Sequence, residues 1–299
     1  MASKLPPLSS LRVFEAAARH GSFTRASKEL GMTQAAVSYQ MKILEERVGT
    51  PLFLRKPRQV SLTETGERIA PVVTEAFELL RAAFVMAEDA SHNLLSITTV
   101  TTFATNFLAE RLGNFQILHD DLAVRLDTSM SVVDFSREDF DLGIRSGDGQ
   151  WQGVETHLLI PAKFSPMLSP DLAQSVGGIK KPSDLLKLPL IDASDPWWKL
   201  WFDSMGVQSE GLHGNKRSRM GIQMLEARAA EAGQGVAILT PDFYRDSLKR
   251  GSLIQPFDDV CHDEGRGYWL VYPKARRNMP KIKKFRDWLL NEVKEHCNQ

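Results

Sequence analysis

The chain has 299 residues, enough for two or three domains, with 42% hydrophobic and 25% charged residues and a formal net charge of zero. This composition excludes a disordered or low-complexity chain. No apolar run is long enough to span a bilayer, and MASKLPPLSS lacks the apolar core of an export signal, so a cytoplasmic protein with no membrane partner is expected. The charge is uneven: residues 1–60 hold ten Lys/Arg against four Glu, and the remainder 27 basic against 33 acidic residues, a small phosphate-seeking head on an acidic body.

Leu11, Phe14, Ala17 and Ala18 recur at helical spacing, with Ser9 or Ser10 as the cap and Gly21 as the stop. Ser22 and Thr24 offer caps for a second helix in which Phe23, Ala26 and Leu30 pack inward, and Gly31 suits a left-handed terminus. Thr33 caps a third helix, Gln34 to about Val48, ended by Gly49. There Val37, Met41, Leu44 and Val48 form one inward stripe, while Ala35, Ser38, Tyr39 and Lys42 point the other way. Helix, tight turn, helix is the arrangement that lays its last helix in a major groove. Gln34 suits adenine, Ala35 a thymine methyl, and Ser38 and Tyr39 reach bases or phosphates; Ser22, Thr33, Gln40 and Lys42 complete the candidate DNA-contacting set on these helices. Glu45 and Glu46 repel phosphate, so only the first half of the helix enters the groove. Residues 52–62 read as two short strands around Lys56-Pro57-Arg58-Gln59, a wing whose Arg55, Lys56 and Arg58 would hold the backbone or minor groove. A plain packing domain with a polar outer face is the competing reading of the same cluster.

From Thr63, Ile69, Val72, Val73, Ala76, Leu79, Leu80 and Phe84 recur at three- and four-residue steps to about Ala90. A partner chain is the simplest cover for such a stripe on a lone helix. Pro71 predicts a kink near Ile69–Val73, or a later helix start. Beyond His92-Asn93 strands and helices alternate. Strands are expected near Leu94–Val100, Leu122–Thr128, Phe140–Arg145, Glu155–Leu159, Val236–Leu239 and Tyr268–Tyr272. Helices are expected near Ala104–Leu118, Trp197–Met205, Met220–Ala232 and Pro280–Lys294. The alternation implies a parallel sheet wrapped by helices, and a body of about 200 residues suits two lobes with a cleft between them.

The segment Phe14 to Arg55 carries F-E-A-A-A, G-S-F-T-x-A, T-Q-x-A-V-S and L-E-x-x-V-G-x-P-L-F-x-R, followed by L-T-x-x-G. It resembles the N-terminal domain of LysR-type transcriptional regulators over about 80 residues, with a mild departure at Ala35, where that family often has proline. DFDLGIRSGDGQWQG (139–153), DPWWKLWFDSMG (195–206) and AGQGVAIL (232–239) resemble the branch that regulates glycine cleavage and β-lactamase induction. The resemblance implies a winged helix-turn-helix over 1–63, a dimerising linker helix over 64–92, and a two-lobed α/β periplasmic-binding-protein-like effector domain over 93–299. Lobe I would take about 93–162 and 268–299, and lobe II about 163–267. It also implies double-stranded operator DNA and a small effector as partners, a homodimer assembling into a homotetramer, and RNA polymerase as a further candidate.

An effector in an open α/β fold sits at strand C-termini and helix N-termini. Thr101, Thr102 and Phe103 occupy such a place and suit an anionic group. The resemblance adds Asp134. Arg145 would clamp an anion or pair with Asp141 or Asp148; Gly147 follows it; Trp198 is core or pocket wall; Gly235 lies in a tight turn that lines the cleft. N-caps and core packing are the competing readings for the threonines and the tryptophan. Cys261 and Cys297 form no CxxC pair and the histidines lack metal-ligand spacing, so no disulfide, metal or cofactor is expected. No GxSxG, P-loop or GxGxxG after a strand is present, and no catalytic residue is assigned. A solute-binding transport protein is the alternative that the body alone would permit.

Overall fold

A computed structural model describes residues 5–56, 59–88, 93–135, 137–208 and 219–297, with backbone alone for 55–56, 59, 82 and 85–88. The chain forms two compact units that part near residue 91.

The first unit opens with three helices: α1 (Leu8–His20), α2 (Phe23–Leu30) and α3 (Gln34–Val48). Neither Ser9 nor Ser10 caps α1, contrary to expectation. The cap position is Pro7, and both serine hydroxyls donate instead to Gln40 Oε1 on α3, at 3.2 and 2.7 Å. Val13, Phe14, Ala17, Ala26, Val37, Met41 and Leu44 pack with Leu52 and Phe53 into one core. Val48 is not part of it; it sits past the core at the end of α3 and is 36% exposed. Arg19 joins α1 to α2, pairing with Glu15 at 2.8 Å and Glu29 at 2.5 Å. Strands β1 (Phe53–Lys56) and β2 (Gln59–Leu62) pair antiparallel with Lys56 opposite Gln59.

Helix α4 (Glu64–Glu88) follows at once, with the Gly66 amide donating to the Thr63 hydroxyl at 3.1 Å. A Cβ on Gly66 would lie 2.3 Å from the Leu52 carbonyl oxygen, so this turn requires glycine. The helix runs through Pro71 rather than starting after it, which removes the later-start alternative. Val72, Leu79, Leu80 and Phe84 are exposed along it.

The second unit is built on β3 (Leu94–Thr99), β4 (Ala123–Thr128), β5 (Leu142–Gly147), β6 (Val154–Met167), β7 (Ala237–Leu239) and β8 (Cys261–Pro273), in the order β4-β3-β5-β8-β6-β7. The sheet is mixed, not parallel as expected. Among the named strands β3–β4 and β3–β5 pair parallel, whereas β8 returns antiparallel between β5 and β6. Strands β6 and β8 are also far longer than the predicted segments. Both run through two hydrophobic clusters, one around Ile97, Phe103, Phe115, Ile144 and Phe285, the other around Phe164, Leu185, Trp198, Trp201 and Ile238. Two cores strung on two shared strands make two lobes. Register shifts fall at Leu158/Ile160 and Pro161/Lys163, midway along the pair, where Pro161 lacks an amide donor.

Around this sheet lie α5 (Thr101–Phe103), α6 (Ala109–Leu118), α7 (Pro170–Ser175), α8 (Pro196–Ser204), α9 (Gln223–Glu231), α10 (Arg245–Lys249) and α11 (Pro280–Cys297). One wide i→i+5 turn, Ala104–Leu108, joins α5 to α6, so the helical stretch begins three residues before the predicted start.

Candidate functional site

The first unit presents an exposed ridge on α3. Ser22 caps α2 by accepting from the Arg25 amide, Gly31 turns the chain left-handed, and Thr33 caps α3 by accepting from the Ala36 amide at 3.2 Å. The register that buries Val37, Met41 and Leu44 forces Gln34, Ala35, Ser38, Tyr39 and Lys42 outward; Tyr39 is 64% exposed. The Gln34 amide donates to the Thr24 hydroxyl at 2.7 Å, which fixes its side chain at the start of the ridge. Lys42 lies 3.7 Å from Glu46. Glu45, expected to repel phosphate, turns away and accepts from the Leu52 and Phe53 amides at 2.8 and 3.3 Å, tying α3 to the hairpin.

The second unit holds a cleft of about 180 Å³. Val100, Thr102, Met130, Ser146, Asp195, Trp197, Gly221, Ile222, Gln223, Glu226 and Tyr268 line it. Asp195 caps α8 by accepting from the Trp197 amide at 2.8 Å. The Trp197 indole stacks on Phe164 with centroids 4.7 Å apart and donates to Asp263 at 3.1 Å, so its face is fixed. Gln223 at the start of α9 accepts from the Thr240 amide at 3.0 Å and donates to the Tyr268 hydroxyl at 3.2 Å. Burial, with Asp195 and Asp192 nearby, pushes the Glu226 carboxyl up to about 7. Burial together with Asp192 and Asp263 also raises Asp195, and burial raises the Tyr268 phenol above its usual range.

Residues 8–67 match the family described as "Bacterial regulatory helix-turn-helix protein, lysR family", and residues 88–294 match the LysR substrate binding domain. The chain belongs to the LysR family of transcriptional regulators. It is 35% identical to the HTH-type transcriptional activator AmpR of Citrobacter koseri, covering 95% of this chain and 97% of that one. It is 34% identical to the glycine cleavage system transcriptional activator of Escherichia coli K12, covering 97% and 95%. The second unit is similar to the effector domain of AmpR of Pseudomonas aeruginosa, with a TM-score of 0.59, 28% identity, and coverage of 69% of this chain and 98% of that one. This LysR-type regulator therefore joins a helix-turn-helix domain to an effector-binding domain, and its relatives are regulators rather than enzymes. No helix among its described residues is long and apolar enough to cross a membrane.

The regulator's candidate residues separate on the structure. Gln34, Ala35, Ser38, Tyr39 and Lys42 share the ridge. Gln40 does not: its carbonyl oxygen accepts the α1 serine hydroxyls, so it faces inward. The Ser22 and Thr33 hydroxyls are occupied as caps. Arg58 lies outside the described residues, as do the side chains of Arg55 and Lys56.

Of the effector candidates, only Thr102 lines the cleft; Thr101 is half-buried outside it. Phe103 is core, packed on Phe107, Phe243 and Tyr268. Asp134 is exposed outside the cleft and pairs with Arg137 at 3.2 Å. Arg145 is buried but pairs with neither Asp141 nor Asp148. It donates to the Ile144 carbonyl and the Thr98 hydroxyl at 2.9 and 2.7 Å, while Asp141 pairs with Lys281 at 2.9 Å. Gly147 leaves room for the Trp151 ring, which a Cβ would meet at 2.7 Å. Trp198 is fully buried and donates to the Ile191 carbonyl; Gly235 allows close approach to the Pro189 carbonyl. Asp195, Trp197, Gln223, Glu226 and Tyr268 were missed. The three-residue step from Gln223 to Glu226 was a legible helical face, but nothing linear joins that face to Asp195 or Tyr268. No cation lines the cleft among the described residues.

Proposed function

We propose that this regulator reads operator DNA with Gln34, Ala35, Ser38, Tyr39 and Lys42, braced by the β1–β2 hairpin, and that a small molecule in the cleft controls it. The observation that carries this reading is the exposed polar ridge of α3 behind fully buried Val37 and Met41, a surface shaped for a major groove. Residues 1–63 would be the DNA-binding domain, 64–92 the linker and 93–299 the effector domain, whose lobes divide at about 162/163 and 267/268, beside the shifts in the β6–β8 ladder.

The exposed apolar residues of α4 favour a second copy of this chain as their cover, giving a homodimer, with a homotetramer built through the effector domains. A ligand that touches both cleft walls would change the lobe angle only through unequal affinity for open and closed states. RNA polymerase remains a further candidate partner. The test is a gel shift of the full chain on the DNA upstream of its own gene, across a salt series. Sequence-dependent retardation that weakens with salt supports the reading; equal retention of random duplex overturns it.

A further inference from the structure

We propose that the effector presents a protonated amine to the acidic end of the cleft, seated between the Asp195 and Glu226 carboxylates and against the Trp197 face. This rests on the reading of the cleft as the effector site and names the chemistry that would fill it.

Glu226 is only 4% exposed yet lines the cleft, and it forms no ion pair with any described residue. Its one backbone partner is the Gly221 amide. Asp195 spends Oδ1 on the α8 cap and has no ion-pair partner among the described residues either. The cations nearby serve other acids. Arg219 lies 3.9 Å from Asp192 and Arg266 lies 3.6 Å from Asp263, with their side chains 83% and 59% exposed. Two carboxylates therefore share a small, partly dry space with no positive charge on its described lining. Such an arrangement is costly when empty and is relieved by a cation.

Trp197 supplies the second feature. An indole held flat by Phe164 and Asp263 offers its π face to a cation without further ordering. Thr102 and Ser146 also line the cleft and suit a polar remainder of the same ligand.

The proton balance is specific. With burial pushing its carboxyl up to about 7, Glu226 holds a proton in part of the neutral range, so an ammonium ion seated there expels it. Affinity then rises with pH, by about tenfold between pH 6 and 8. A carboxylate ligand held by the protonated acid would show the reverse: proton uptake, and weaker binding as pH rises. Asp195 and Tyr268 line the same space and Asp192 also acts on Glu226; Asp263 faces Asp195, Tyr244 lies within electrostatic reach of Glu226, and Arg219 and Arg266 pair with Asp192 and Asp263.

The experiment is calorimetry and thermal shift of the full chain with 3-methylbutylamine, leucine and 3-methylbutanoate, at pH 6 and 8 and in two buffers of different ionisation enthalpy. The amine and leucine are expected to bind with proton release, and the acid not to bind. Glu226→Gln should weaken amine binding at pH 8 by about tenfold and remove its pH dependence, whereas Tyr268→Phe should retain that dependence. Binding of the acid that weakens in Tyr268→Phe keeps the cleft as the effector site and overturns the amine. Failure of both amine probes to bind overturns it too, as does an equal thermal shift from magnesium chloride alone. Amine binding that no cleft substitution alters overturns both the amine assignment and the effector-site reading.

Discussion

Gln223 fastens the start of α9 to strand β8 by donating to the Tyr268 hydroxyl at 3.2 Å, and the same side chain accepts from the fully buried Thr240 amide at 3.0 Å. The two roles separate by mutation. Gln223→Ala strands a buried amide and should destabilise the second unit by about 1–3 kcal/mol. Tyr268→Phe leaves the Gln223–Thr240 contacts intact and should cost less than about 1 kcal/mol while reducing the response to ligand. Urea denaturation with and without ligand measures both effects; equal destabilisation by the two variants would count against this division.

The DNA contact proposed for the α3 ridge makes base reading separable from phosphate attraction. Gln34→Ala and Ser38→Ala should each lose about 1–3 kcal/mol on operator DNA and little on random duplex. Lys42→Ala should weaken both alike and lower the salt slope by about one. Fluorescence anisotropy at several salt concentrations distinguishes the two patterns.

Gly66 lies where any side chain meets the Leu52 carbonyl and Leu62. Gly66→Ala should destabilise the first unit by about 1–3 kcal/mol through overpacking and lower DNA affinity at 37 °C, without altering the second unit's ligand response. Thermal melting followed by DNA binding below the melting point checks this.

The Arg19 guanidinium, with His20, holds the Glu29 carboxyl down to about 2. A depressed carboxyl stabilises the native state above its ordinary value of 4.5, and that contribution is lost as pH falls towards 2. Because the Glu29 side chain is 38% exposed, solvent screening keeps the effect small. Glu29→Gln should melt lower than the parent at pH 6, and the difference should close as pH approaches 2. A difference that stayed constant with pH would assign the effect to packing.

Adjacent tryptophans should behave oppositely. Trp198→Ala empties a fully buried site and should cost about 3–5 kcal/mol. Trp197→Ala removes a cleft wall and should mainly weaken ligand binding. Paired denaturation and calorimetry compare them directly.

The helix-turn-helix was legible along the chain because local rules define it. Glycine stops, threonine and serine caps and a 3.6-residue apolar period all lie within α1 to α3, and the register that buries Val37 and Met41 exposes Ala35, Ser38 and Tyr39 automatically. The family was legible for the same reason. The cleft proposed for the effector was not. Its walls come from residues as distant as Thr102, Asp195, Glu226 and Tyr268, brought together by long strands that cross both lobes and by an antiparallel β8 that alternation alone reads as parallel. Which of two neighbours, Trp197 or Trp198, lines the cleft depends on the rotation of α8 against β6, and the fate of Arg145 on how deeply β5 is buried. Sequence sets local periodicity and capping; only tertiary packing decides which polar groups share one space, and therefore what charge that space will accept.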